Sequence, residues 1–113
     1  MKNNIDTKEL DHHMLMLGFR ENLSGTEMLR IAVKEWEPGM GITKELYPMI
    51  ARKVGSTPTR VERCMRKAIE SAFERGSVGT ITSLFGYTLK PEKCAPTVSE
   101  FVARMSVVCR DED

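Results

Sequence analysis

The chain has no surplus of charge of either sign. Its 17 Lys and Arg nearly match its 16 Asp and Glu, for a formal net charge of +1. Bulk charge therefore implies no polyanionic partner, and any nucleic-acid signal must come from local clustering. Aromatic residues are scarce, at 6%, and eight methionines carry part of the apolar load. No run approaches the ~18 apolar residues of a membrane span, and "MKNNIDTKELDHH" lacks the apolar stretch of a signal peptide. A cytoplasmic protein with no membrane partner is expected. Cys64, Cys94 and Cys109 are odd in number, widely spaced and without a C-x-x-C pair. That pattern fits neither a disulfide framework nor a closed zinc site, and it reads as reduced thiols. Ser24, Ser83 and Cys64 have no base at motif spacing, so an enzyme is not expected, nor a cofactor or metal. His12 and His13 are adjacent, so a helix turns them about 100° apart and gives them surface roles rather than a shared metal.

What is present is a globular composition, 41% apolar and 29% charged, over 113 residues. That is the size of one domain with one core. Residues 1–9 read as a flexible start and 110–113 as a frayed tail. The apolar spacing is helical nearly throughout. A helix is predicted over 7–17, capped by Thr7, with Leu10, Met14 and Leu17 on one side and Gly18 at its end. A second covers 24–36, with Met28, Leu29, Ala32, Val33 and Trp36 in one stripe, Trp36 anchoring the core. "EPGMG" at 37–41 is a loop. Thr43 is predicted to cap a helix over 44–54 whose Leu46, Ile50, Ala51 and Val54 face inward. "GSTP" breaks it at 55–58. Thr57 caps the next helix and Pro58 begins it, and the helix runs to Arg75 before Gly76. A short helix follows over 78–85, then a loop at 86–96, then a helix capped by Thr97 or Ser99 and ending near Cys109. "YTL" at 87–89 is the one strand candidate.

Residues 47–66, "YPMIARKVGSTPTRVERCMR", have the order of a helix-turn-helix. Ile50 and Val54 face the partner helix, Ala51 permits close approach, Gly55 opens the turn, and Val61 and Cys64 point inward. On the second helix Val61, Cys64, Met65, Ala68 and Ala72 group on one side, while Arg63, Arg66, Lys67 and Glu70 project opposite. Arg60 and Glu62 lie on the two shoulders near the N-terminal end, the end that enters the major groove in this motif. A lone acid among four cations weakens binding to phosphate. A carboxylate can, however, accept from the N4 amino group of cytosine, as an arginine can pair with guanine O6 and N7. Glu62 thus hints at sequence-specific reading. The alternative stands beside it: charged residues on a helix face are often only solvated surface, and Glu62 and Arg66 form a helix-stabilising i,i+4 pair.

The segments "ITKELYPMIARKVGSTPTRVERCMRKAIESAFERG", "ITSLFGYT" and "APTVSEF" together closely resemble the C-terminal effector domain of the stage-zero sporulation regulator family. The resemblance spans roughly residues 10–109. It implies an all-α fold of six helices around a helix-turn-helix. It also implies transcription regulation through binding of double-stranded DNA carrying a G-T-C-G-type element, often in tandem copies. Arg60, Glu62 and Arg63 match base-reading positions. Arg66, Lys67, Arg52, Lys53 and Thr59 are further candidates for base or phosphate contact, Lys67 standing where the family has histidine. Self-association on tandem sites is expected through the last helix, at Phe101, Val102, Met105 and Val108. The region of "SLFGY" lies, in the family, near contacts with RNA polymerase, against a reading as a packed helix end. The family's phospho-receiver domain has no counterpart in these residues, and the start favours a stand-alone protein over an excised domain. A protein-interaction module that keeps the fold is the rival functional reading.

Overall fold

The architecture grows from amphipathic helices that each bury one stripe. In the computed structural model, residues 5–21, 23–75, 78–86 and 95–110 are described. The predicted helix end at Gly76, the strand candidate at 87–89, most of the 86–96 loop, Cys94 and residues 111–113 lie outside them. Six α-helices follow in order: α1 (Thr7–Met16), α2 (Ser24–Glu35), α3 (Tyr47–Val54), α4 (Pro58–Arg75), α5 (Val78–Phe85) and α6 (Val98–Val108). Among the described residues there is no strand, only an isolated bridge between Ile5 and Arg110. The all-α, six-helix expectation is what the chain adopts.

Helix ends follow local chemistry. Asp6, not Thr7, caps α1: its carboxylate accepts from Glu9 N–H at 3.1 Å. Gly18 closes that helix with φ +98°, as expected of a glycine stop. Thr57 Oγ1 accepts from Arg60 N–H at 3.3 Å at the head of α4. Thr97 and Glu100 form a reciprocal capping box at α6.

The entrance to α3 departs from expectation. Among the described residues Thr43 makes no cap hydrogen bond; instead Ile42–Leu46 form a π-helical turn whose Leu46 N–H reaches Gly41 O at 3.0 Å. Pro48 lacks an N–H, and its ring crowds the carbonyl four residues earlier. A wide turn ahead of it relieves that crowding.

The core gathers Leu10, Met14, Leu17, Leu29, Ala32, Val33, Ile50, Val61, Met65, Ile69, Phe101 and Met105 from five helices, all nearly or fully inaccessible. α4 is its central rod and packs most extensively on α2 and next on α3. Gly25 makes the α2–α4 approach possible. A Cβ there would lie 2.2 Å from the Cys64 carbonyl oxygen and 2.8 Å from Ala68 Cβ. Trp36 is partly buried against the core and donates its indole N–H to Met40 O at 3.0 Å, which pins the 37–41 loop.

Two placements correct the sequence reading. Val54 is 38% exposed, because the chain turns away at Gly55 before another helical turn can bury it. Cys64 is only partly buried, on the edge of the α4 core stripe.

Candidate nucleic-acid interface

α3, its turn and α4 form the unit on which the candidate residues sit. Gly55 adopts the left-handed region at φ +69°, and its N–H and that of Ser56 both close on the Ala51 carbonyl. That closure turns the chain sharply into Thr57 and Pro58, so α4 starts one short step from the end of α3. Ile50 and Ala51 of α3 meet Val61 and Met65 of α4 inside the core. The opposite face of α4 is thereby left outward.

On that face Thr59, Arg60, Arg63, Arg66 and Lys67 are all exposed. At 100° per residue, Arg60, Arg63 and Lys67 fall within about 60° of one another, one cationic stripe along the first half of α4. Among the described residues none of these three has an ion-pair partner, and neither does the exposed Arg52 at the end of α3. Lys53 differs: its Nζ lies 3.6 Å from Glu35 Oε1 on α2, so part of its charge is already answered.

Glu62 sits on the flank of α4 and is engaged. Its Oε2 accepts from Arg66 Nε at 3.2 Å. The i,i+4 pair foreseen in the sequence therefore forms. The neighbouring groove, ≈ 700 Å³ and open, is lined by Tyr47, Glu62, Arg66, Glu70, Glu74 and the start of α6. Glu62, Glu70 and Glu74 of α4 line this groove together with Arg66, and none of these acids forms an ion pair with Arg60, Arg63 or Lys67 among the described residues. Tyr47 lies against this flank, 8% exposed. Burial raises the pKa of its hydroxyl above the ordinary tyrosine value, and the Glu62 charge adds to the shift.

The apolar stripe of the last helix lies against the core. Phe101, Val102 and Met105 are fully inaccessible and Val108 is partly buried, so that stripe closes this chain's own core. Phe101 lies between Phe19, tilted to it at a centroid distance of 5.3 Å, and Phe85, stacked on it at 6.0 Å. In "SLFGY", Leu84 and Phe85 are likewise buried and Ser83 is exposed, while Tyr87 lies outside the described residues. The packed-helix-end reading describes Leu84 and Phe85. Arg104 of α6 donates to the Leu84 carbonyl and ties the end of α5 to α6.

One residue was missed in the sequence. Arg30 is 8% exposed and gathers three carboxylates: Asp11 of α1 at 2.9 Å, Glu27 of its own helix at 3.4 Å, and Glu21 of the α1–α2 connection. Burial works to lower its pKa, and the carboxylates of Glu21 and Asp11 outweigh it and raise it. Its place at i+1 of an apolar stripe carries no local sign that three acids converge on it. Of the free thiols, Cys109 is inert: burial first, then the charges of Glu9 and Asp6, push it up to about 12. Among the described residues no cluster of His, Cys, Asp and Glu could hold a metal ion, and no helix is long and apolar enough to cross a membrane.

A tight left-handed turn, a second helix buried along one side and a free cationic stripe along the other define a helix-turn-helix DNA-binding domain. The family comparison agrees. The model of the sporulation initiation factor Spo0A C-terminal family matches residues 10–108, and the chain belongs to that family. It is a DNA-binding effector domain of the sporulation-initiation type of transcription regulator.

Proposed function

We propose that the domain reads a short DNA element of the G-T-C-G type by laying the N-terminal half of α4 in the major groove. The observation that carries this is the stripe of Arg60, Arg63 and Lys67, exposed and unpaired among the described residues, on the helix that follows the Gly55 turn. Arg60 and Arg63 supply forked donors for guanine edges, and Glu62 an acceptor for a cytosine amino group. In this reading Arg52, Thr59 and Lys67 meet the phosphates that flank the groove, with Arg66 at the boundary between the two roles. Lys53 contributes less, because Glu35 already shares its charge.

The same reading puts the domain in the cytoplasm with the DNA. Contact with RNA polymerase and pairing of copies on tandem elements belong to it as family expectations. On α6 a second copy would meet the partly buried Val108 and the exposed Val107, since Phe101, Val102 and Met105 are inaccessible.

Fluorescence anisotropy at a stated salt concentration tests the reading. A duplex with the element is expected to bind at least about tenfold more tightly than a scrambled duplex, since specific sites exceed nonspecific ones by wide margins. A ratio near one would sink it.

A further inference from the structure

Glu62 and Arg66 form an ion pair that differs from an ordinary surface pair in two respects. First, the carboxylate is the more confined partner. The Glu62 side chain is 35% exposed against 53% for Arg66, and it lies on the flank of α4 beside the buried Tyr47. The acid is the less exposed of the two, and the arginine is bound to it through Nε. Second, the contact uses the Nε edge of the guanidinium, at 3.2 Å. A guanidinium carries five N–H donors in a rigid planar fork. With Nε committed, the four donors on the two terminal nitrogens stay available, along an edge that suits guanine O6 and N7. Oε1 of Glu62, for its part, has no hydrogen bond among the described residues.

We infer that Glu62 is a positioning residue for Arg66: it fixes the guanidinium so that its terminal nitrogens face a guanine edge, while its own free oxygen accepts from the amino group of a neighbouring cytosine. The pair then acts as one reader of two adjacent bases. This rests on the DNA-reading role proposed above and deepens it. An unheld arginine has many rotamers and can neutralise any phosphate within reach. The same arginine fixed by an acid loses part of its charge for phosphate and gains direction toward a base. Glu62 in that role exchanges nonspecific affinity for discrimination.

A double-mutant cycle tests it on the full chain. Wild type, Glu62→Ala, Glu62→Gln, Arg66→Ala and the Ala/Ala double variant are titrated against the element and against duplexes with each core base pair replaced in turn. Arg66→Ala is expected to lose about 5- to 150-fold discrimination at one base pair, the worth of a good bidentate contact. Glu62→Ala should lose that same discrimination although Arg66 is present, and the double variant should be no worse there than either single one. Glu62→Gln, which keeps an acceptor oxygen, should fall between. Binding of scrambled DNA by Glu62→Ala should hold or rise, with the melting temperature nearly unchanged. A role confined to helix stability would lower affinity for all duplexes alike.

Two results overturn the inference while DNA reading by Arg60 and Arg63 stands. One is Arg66-dependent discrimination that survives intact in Glu62→Ala. The other is an Arg66→Ala variant whose base preferences match wild type. A wild-type protein that cannot tell the element from scrambled DNA overturns the DNA-reading role itself, and the inference with it.

Discussion

At Gly25 a single missing side chain decides how near two helices can come. The Cys64 carbonyl of α4 occupies the space a Cβ would need, and Ala68 stands beside it. The obstacle is backbone on the central rod of the core, so it cannot swing aside as a flexible side chain would. Gly25→Ala is therefore expected to cost about 1–3 kcal/mol, the usual range for overpacking, read as a lower urea midpoint. A loss under about 0.5 kcal/mol, the range of ordinary surface changes, would mean that α2 shifts freely on α4. Nothing local announced this residue. "SGTE" reads as the start of a helix, where glycine is common, and only the partner helix makes glycine necessary. Arg30 was hidden for the same reason, because its three acids come from positions 11, 21 and 27 and converge only in the fold. Residue-scale features that were legible are the local ones. The Glu62–Arg66 pair and the glycine at the turn are written in spacings of four and one, and both form.

Elements were legible where their ends carry a chemical signal. "TVSE" at 97–100 spells a capping box, and the structure closes it both ways: Thr97 N–H donates to Glu100 Oε1 at 2.8 Å and Glu100 N–H to Thr97 Oγ1 at 3.1 Å. Thr97→Ala should cost about 1 kcal/mol, the typical worth of an N-cap. Thermal unfolding checks it, and Thr97→Ser should recover most of the loss. An unchanged melting temperature for Thr97→Ala would mean that packing against α2, α4 and α5 holds α6 without the cap. The cap of α1 was misplaced by one residue, since Asp6 and Thr7 are both good caps and only backbone conformation selects between them. The start of α3 was misread because threonine before a helix is a strong cap signal, while the effect of Pro48 on the preceding turn is steric and has no such signature. Val54 followed the helical period correctly, but period alone does not tell where the partner helix ends. The apolar stripe of α6 was legible as a stripe. How the stripe packs depends on α2, α4 and α5, which one-dimensional spacing does not carry.

Across the whole molecule, charges that nearly cancel in number are separated in space. Arg52, Arg60, Arg63 and Lys67 lie unpaired among the described residues on α3 and the first half of α4. Glu62, Glu70 and Glu74 gather along the groove side, and Arg30 draws its three acids to the α1–α2 region. A net charge of +1 is thus compatible with a locally positive face. If that face meets the phosphates, affinity for duplex DNA must fall with salt, because each neutralised phosphate releases counterions. The ion pairs rank the contributions. A free cation that meets a phosphate should change the log–log slope by roughly one unit when removed. A cation that already shares its charge should change it less. Arg52→Ala and Lys67→Ala are therefore expected to lower the slope by about one unit each, and Lys53→Ala, whose partner is Glu35 at 3.6 Å, by clearly less. Titrations between roughly 50 and 200 mM salt resolve such differences. Glu35→Ala supplies the complement. Releasing Lys53 should raise affinity for any duplex at low salt and steepen its salt dependence, without altering base preference. Equal slopes for Lys53→Ala and Lys67→Ala would show that the Glu35 pair opens on binding, and the division between free and answered cations would then not govern how the domain meets DNA.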